Sequence, residues 1–393
     1  VSSLDTALEL LKDAFNSISH CPPGALYSQL CQLLALAMGN QDPLSTAYLL
    51  SESVSVTARH QLLSVIHRKI YKEKKSAGDV AEQLRGLSLQ EGSAAQRSHH
   101  LAELERLFMF SPTGLGSEVR DGFWAQLQQI PSGVTVCTLT LASTQPGSAG
   151  DTLLLTRLEK GSAPVTIRIP TVLNKAPLHS VLSDFDAIQK EQKEVNGCTD
   201  KQDWWRRRSE LDCRMKSLIE TLEMQVLGCW RGALIPTGPE PGLVEEAARL
   251  HPELCRCGWR DSDPTLLKVV LNAAPLLTPH DVQALAFGLC PGQPRRAQPL
   301  LQEAVEKRRA CATQTAGSLV LVLDKHLQKL PWESMACLKD VPVNSFLLSY
   351  SLAQKQRAGS VLSRGVNPSS TFYVLNPHSN LLGTEERFRG WFE

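Results

Sequence analysis

Residues 319–335 read LVLVLDKHLQKLPWESM, and they decide the fold class of the last part of the chain. Residues 319–323 are apolar without interruption, as a strand must be when helices cover both of its faces. Asp324, Lys325 and His326 follow as a polar turn, and Pro331 with Glu333 then reads as a helix start. A proline at the first helical position loses no needed donor, and a carboxylate in the first turn meets the positive end of the helix dipole. Downstream come a helical run at 345–352 (SFLLSYSL), a strand at 371–376 (TFYVLN) and a last helix from about Thr384. Strands alternating with helices predict a parallel, doubly wound α/β sheet begun within residues 317–393.

Upstream the periodicity is different. From residue 1 to about residue 130 apolar side chains recur at steps of three and four: Leu4, Leu8 and Leu11; Leu30, Leu33, Leu34 and Ala37; Leu62, Val65 and Ile66. This predicts amphipathic helices, paired as hairpins of the kind helical repeat proteins use, with CPPG (21–24) and NQDP (40–43) as the breaks. At Ser132 the pattern changes to short β-branched runs, GVTVCTLTLAS (133–143), DTLLLTRLEK (151–160) and PVTIRIPT (164–171), separated by turn residues. These predict a three-strand meander whose third strand, with Val165, Ile167 and Ile169 alternating against Thr166 and Arg168, has one buried face. Two long helical stretches follow, about 178–193 and 203–229. The second carries Leu211, Met215, Leu218, Leu222 and Val226 as a stripe too short for a sustained coiled coil, which favours a hairpin packed on the sheet. PTGPEPG (236–242) reads as a linker, short helices run to about Arg309, and ATQTAG (312–317) is a second loop.

At 393 residues the chain exceeds one ordinary core of about 100–200 residues. Its 41 basic and 40 acidic side chains leave a net charge of +1, which makes no electrostatic case for a nucleic-acid partner. No run of the roughly 18 apolar residues that cross a bilayer is present, and nothing at the start indicates secretion. Eleven cysteines, odd in number and set in runs such as LCQLLALAM (30–38), fit reduced thiols in a cytoplasmic or nuclear protein. The chain opens on Val1 and closes on RFRGWFE (387–393) within a helical pattern, so both ends read as cut.

Ligands of open α/β sheets gather beyond the carboxyl ends of the strands, which makes Asp324, His326, Asn376 and His378 the candidates at the functional rim. Either histidine has the chemistry of a general base, but neither has an evident nucleophile or orienting carboxylate beside it. His251, Cys255 and Cys257 have spacings a metal could use, with His280 and Cys290 as the nearest further donors, yet no convincing fourth ligand completes a zinc set; no metal and no cofactor is expected. WWRRRSE (204–210) and HRKIYKEKK (67–75) read as solvated basic helix faces. No G-x-G-x-x-G follows a strand, and neither a phosphate-binding G-x-x-x-x-G-K-[ST] nor a G-x-S-x-G elbow occurs.

The stretch 319–335, followed by FLLSYS (346–351) and STFYVLNPHSNL (370–381), closely resembles the region before the catalytic residues in the separase family of caspase-like cysteine endopeptidases, vertebrate type. DFDAIQKEQKE (184–194), LGCW (227–230) and QALAFGLCP (283–291) resemble the same family, and the likeness covers essentially the whole chain. Leu330, Pro331, Trp332 and Glu333 are its signature within the opening stretch. The resemblance implies a mixed α+β and α/β architecture. A helical, substrate-binding part (1–130) precedes a non-catalytic caspase-like meander with long helices (131–240), a helical connector (241–316) and the first strands of a caspase-like doubly wound protease sheet (317–393).

What the resemblance implies for function is cleavage of the cohesin kleisin after Arg in E-x-x-R sites, releasing sister chromatids at anaphase. Its implied partners are the inhibitory chaperone securin, the kleisin substrate and a cyclin-dependent kinase with cyclin B. Its implied locations are cytoplasm and nucleus, with the mitotic spindle and centrosome. The family's dyad is a His in H-G-x-G after the third protease strand and a Cys after the fourth. This chain contains no H-G-x-G, so no catalytic role passes to Cys337 or His378, and the chain alone is expected to be an inactive, partner-binding piece. E-x-x-R occurs, among other positions, at Glu103 to Arg106, Glu246 to Arg249 and Glu386 to Arg389, where it reads as an ordinary helical i, i+3 pair. The implied strand order sets the strand at Leu319 between the strand at Thr371 and the third protease strand, and so leaves one long side of 319–323 as an open edge.

Overall fold

A computed structural model describes residues 3–83, 91–110, 114–143, 150–171, 178–238, 240–260, 263–311, 317–344, 375–376 and 381–392. The chain forms two compact units, Val1–Phe346 and Leu347–Glu393. Among the described residues the first is built on a mixed five-stranded sheet. Strands β1 (Val134–Ala142), β2 (Thr152–Leu158) and β3 (Val165–Pro170) form the expected antiparallel meander. β4 (Ser318–Leu323) lies parallel to β1, with Val134 opposite Ser318 and Leu139 opposite Leu323, and the short β5 (Val343–Asn344) pairs parallel to β4. The order is therefore β3-β2-β1-β4-β5.

Helices cover both faces of the meander, which is why β2 is buried at every residue while β3, at the edge, alternates. On one face α6 (Leu178–Val195) and α7 (Lys201–Thr221) form a hairpin. Phe185 and Ile188 of α6 and Leu211 and Leu218 of α7 pack with Cys137, Leu139, Leu155, Ile167 and Leu321 of the sheet. The expected stripe thus finds its partner inside the chain, because the sheet offers a continuous apolar surface along its length. Against the other face lie helices from the first third of the chain, α1 (Ser3–Ile18), α2 (Gly24–Met38) and the 41-residue α3 (Pro43–Gln83), where Ala142 and Leu154 join Tyr27, Leu34 and Leu50. Two further helices, α4 (Glu91–Phe108) and α5 (Ser117–Leu127), complete this part.

The connector helices α8 (Pro241–Arg256), α9 (Thr265–Asn272), α10 (Pro279–Leu289) and α11 (Pro294–Ala310) enclose a core of their own around Leu254, Leu267, Leu285 and Leu301. Gly317 is where connector, meander and β4 meet. A Cβ there would stand 2.7 Å from Pro236 Cβ and 2.8 Å from the Gly133 carbonyl, so only glycine fits the crossing. In the second unit, α12 (Leu382–Phe392) occupies the place of the expected last helix. The expected helical run at 345–352 lies outside the described residues, as does all of the expected strand at 371–376 except Leu375 and Asn376.

Two expectations are corrected. The strand at 319–323 does not have an open long side: among the described residues β1 pairs with its whole length and β5 flanks it on the other side, while the strand expected at Thr371 lies outside the described residues. The meander and β4 thus share one sheet. Second, Pro331 does not open an α-helix; two short 3-10 turns, Trp332–Ser334 and Ala336–Leu338, follow it, with Met335 extended between them (φ −65°, ψ 142°). An α-helix would need the Ala336 and Cys337 amides to bond back to the carbonyls four residues earlier, but the Glu223 carboxylate takes both, at 2.7 and 3.0 Å.

The pairing makes a directional prediction. Ser318 N–H donates to the Gly133 carbonyl and Asp324 N–H to that of Leu139, both at 2.9 Å, whereas Leu319 N–H donates to the Pro342 carbonyl. Alternate amides of a strand face opposite neighbours, so those of Val320 and Val322 face β1 and are expected to exchange hydrogen among the slowest in the chain. Exchange of these two amides as fast as those of Ala336–Leu338, read by residue-resolved hydrogen exchange, would refute the shared sheet.

Candidate functional site

The rim at the carboxyl end of β4 is a packed turn. Asp324 is buried; its carbonyl accepts the N–H groups of Leu327 (2.8 Å) and Gln328 (3.1 Å), and its Oδ1 accepts the His326 N–H at 2.9 Å. The carboxylate is therefore engaged in ordering its own turn. His326 is exposed. Leu330 and Trp332 are buried, Trp332 donating from Nε1 to the Leu327 carbonyl at 2.9 Å, while Pro331 is half-buried and Glu333 exposed. Lys329 Nζ reaches both carboxylate oxygens of Asp186 on α6 at 2.6 Å, so the loop after β4 is tied to the helical face of the sheet.

In the second unit Asn376 adopts φ 51°, donates from Nδ2 to Glu385 and accepts the Leu381 N–H at its Oδ1, so it organises the entry to α12. His378 lies outside the described residues. Asp324 and His326 share one turn at the end of β4.

The buried polar chemistry lies elsewhere, at residues 222–237, where α7 leaves α-helical geometry for a π turn (Leu222–Leu227) and then a 3-10 helix (Gly228–Leu234). Three side chains meet here. Glu223, 6% exposed, accepts from the Ala336 and Cys337 amides of the loop after β4. Arg231, 3% exposed, makes a two-pronged pair with Asp281 (3.0 and 2.8 Å) and donates to the Gly228 and Leu276 carbonyls. Arg157, 2% exposed near the end of β2, donates to the carbonyls of Ala233 (2.5 Å) and Ile235 (2.7 Å), to Thr237 Oγ1 (2.5 Å) and to Glu159 (2.7 Å). One irregular segment is thus bonded to the meander, the connector and the loop after β4. Gly232 lets it lie against α9, since a Cβ there would overlap Ala273 Cβ.

Two carboxylates of this junction are held in their ionised form. Burial works to raise the Asp281 pKa, but the hydrogen bonds from Arg231 and Thr278 outweigh it and hold the carboxyl below the usual aspartate range. Glu159 follows the same logic, burial being overcome by Arg157 and the Thr135 hydroxyl. Thr278 and Asp281 also close a reciprocal capping box at the start of α10.

The other candidates resolve into helix chemistry. His251 Nε2 lies 3.7 Å from Cys255 Sγ across one turn of α8, and its ring meets Trp259 edge to face; Cys257 and Cys290 are buried, Cys290 donating to the Leu254 carbonyl, and His280 is exposed. Among the described residues no group of three metal-binding side chains converges. In WWRRRSE, Arg206 pairs with Asp203 and Glu210, Arg207 with Asp203 and Arg208 with Asp212, so its cations are answered within α7. His67 and Lys72, in HRKIYKEKK, are exposed on α3. The E-x-x-R pair Glu246 and Arg249 is an i, i+3 ion pair whose carboxylate also takes Lys307 at 2.6 Å, and Glu253 with Arg256 forms another at the same spacing.

Sequence reading missed the junction. Its one visible signal is Arg157, a charge inside a strand otherwise apolar; Glu223 looks like any helical glutamate, because nothing local announces a π turn.

The protein family described as Separin, protease domain, matches residues 148–283 and 293–393, more than half of the chain. The chain is 52% identical over 402 residues to the Separin of Mus musculus, an alignment covering 100% of this chain and 19% of that protein. It is 23% identical over 310 residues to the Separin of Schizosaccharomyces pombe, covering 67% of this chain and 16% of that protein. It thus spans less than a fifth of the length of these relatives. A crystal structure of the Saccharomyces cerevisiae separase–securin complex is similar with a TM-score of 0.60 at 16% identity, over 100% of this chain and 27% of that one. The fold is accordingly the α+β caspase-like fold.

Removing Arg231 while leaving Asp281 buried is expected to be severe. Arg231→Ala should lower stability by about 3–5 kcal/mol, read as a shift of the urea midpoint. The depressed pKa values of Asp281 and Glu159 add a pH signature. Their contribution is fully present above the unfolded carboxyl pKa values of about 4 and is lost as pH falls through the lower folded values. Arg231→Ala should therefore flatten the acid limb of the stability curve, and an unchanged limb would contradict the assignment.

Proposed function

Because the chain belongs to the separin protease-domain family, we propose that it is part of a separase-like cysteine endopeptidase and serves there as the frame from which the peptidase sheet grows. The observation that carries this reading is the family match running through β2 and β3 of the meander and on through β4, strands that belong to one sheet. A parallel run of strands, β1, β4 and β5, gives that sheet an end of the kind where α/β enzymes place their chemistry.

The nucleophile in this reading lies outside these residues. The chain has no H-G-x-G, and its interior thiols are poor nucleophiles. Burial pushes Cys137, Cys229 and Cys337 up to about 12 and Cys290 to about 11, and it raises Cys31 as well. At neutral pH such thiols are ionised about once in ten thousand molecules or less. The role left to the described residues is to hold: the second reading, a binding module for substrate or securin, describes what this chain does within the larger peptidase.

The substrate of the whole protein in this proposal is the cohesin kleisin, cut after Arg in E-x-x-R sites by thiolate attack on the scissile carbonyl, to release sister chromatids at anaphase. Securin binds it as an inhibitor, a reading supported by the likeness to a yeast separase crystallised in complex with securin, and a cyclin-dependent kinase with cyclin B is a further partner. It acts in cytoplasm and nucleus, at the spindle and centrosome.

Two outcomes are expected. The 393-residue chain should leave an E-x-x-R peptide uncut, whereas a longer protein that adds the H-G-x-G and the strand-end cysteine should cut it in a reaction stopped by thiol alkylation. Alkylator-sensitive turnover by the chain alone would overturn the placement of the nucleophile. Immobilised chain is also expected to retain securin in a pull-down, and no retention by folded chain would count against the binding role.

A further inference from the structure

Glu223 is the one junction carboxylate that takes no cation among the described residues: its acceptors face two backbone amides 113 and 114 positions along the chain. Arg231 is close enough to feel its charge but engages Asp281 with its guanidinium. Burying a carboxylate costs several kcal/mol unless its hydrogen bonds are strong, and an apolar side chain of the same shape generally stabilises as well or better. The arrangement gains orientation: two N–H groups aimed at one carboxylate fix where a loop backbone lies and how it is turned.

The surroundings are shaped to that end. The π turn places two consecutive residues, Leu222 and Glu223, both inward, at 0% and 6% exposure. The amides it meets begin the 3-10 turn Ala336–Leu338, after the extended Met335 has broken helical continuity, and so would otherwise be bare donors. That turn lies in the loop joining β4 to β5, whose far end is held where Leu319 N–H reaches the Pro342 carbonyl and β5 begins. The near end is closed by Asp324 and Trp332. Glu223 grips the middle.

We propose that Glu223 is a positioning residue for the peptidase: through the Ala336 and Cys337 amides its carboxylate sets the loop at the carboxyl end of β4, and with it the line along which β5 leads into the rest of the protease sheet. The proposal rests on the peptidase reading above. Glu223 touches no substrate. It transmits the position of α7, and so of the meander's helical face, to the strand that leads away from it.

The test has two arms. In the 393-residue chain, Glu223→Gln removes the charge while keeping the shape. It is expected to speed hydrogen exchange of the Ala336, Cys337 and Leu319 amides at least tenfold, and maleimide labelling of Cys337 likewise, with the Val320 and Val322 amides unchanged. In the longer protein carrying the family's dyad, the same variant is expected to lower kcat at least tenfold with KM within twofold, at a temperature where both proteins are folded. A merely stabilising role would lower Tm without this split. Should Glu223→Gln fail to fold, Ala336→Pro takes its place. It deletes one donor N–H at a first-turn position that tolerates proline, after a residue already in the conformation that precedes one. Unchanged exchange and labelling overturn the grip, and unchanged kcat with altered exchange overturns the positioning role. Absence of all E-x-x-R cleavage by the unmutated longer protein overturns the peptidase reading instead, leaving the first arm to decide the grip.

Discussion

The point on which this structure turns is the failure of α7 to remain an α-helix past Thr221. A regular helix keeps its carbonyls for itself. By passing through a π turn into a 3-10 helix and then an extended strand of linker, residues 222–237 free the carbonyls of Gly228, Ala233 and Ile235 for arginine side chains. They also turn Glu223 and Arg231 into the interior. Three segments distant in sequence then find their polar partners on one stretch of backbone. Because each buried charge has its hydrogen bonds only when all three are in place, the segment works as an alignment device and tolerates little sliding.

That constraint explains the sheet. A meander alone would be an exposed antiparallel ribbon, and β4 alone a parallel strand without a neighbour. Arg157 draws β2 against the linker, while Gly317 lets the approach to β4 cross Pro236 at van der Waals distance. β4 is thereby delivered alongside β1 in parallel register. The apolar character of 319–323, evident in the sequence, is matched by helices on one face and by β1 along one edge.

Much of this was legible. Strand and helix positions followed from period: Val165, Ile167 and Ile169 alternate as expected, and the Leu211-to-Val226 stripe finds α6 and the sheet. The resemblance carried by residues 319–335 led to the right family and fold, which periodicity alone does not name. What escaped was non-local. The helix expected from Pro331 failed because Glu223, far away in sequence, takes the amides an α-helix would need. The expected open edge failed because the partner of β4 is fixed by side-chain bonds at the junction and not by anything in β4 itself. Of the rim residues, Asp324 was correctly placed at a strand end, but its oxygens serve its own turn.

The distribution of charge sharpens what kind of object this is. The exposed faces answer their charges within a helical turn, as Arg206 does with Asp203 and Glu210, and solvent screening leaves such pairs little weight in stability. The interior charges reach across tens of residues and cluster at one seam. A protein selected for stability alone would do better with apolar contacts at that seam, as the meander and connector cores show on either side of it. Placing carboxylates and guanidinium groups there instead makes three substructures adopt one mutual arrangement or else leave charges unanswered. In the peptidase reading proposed above, catalytic groups carried on later strands would need that kind of certainty about where those strands begin, since displacement of about 1 Å in a reacting group can cost two orders of magnitude in rate.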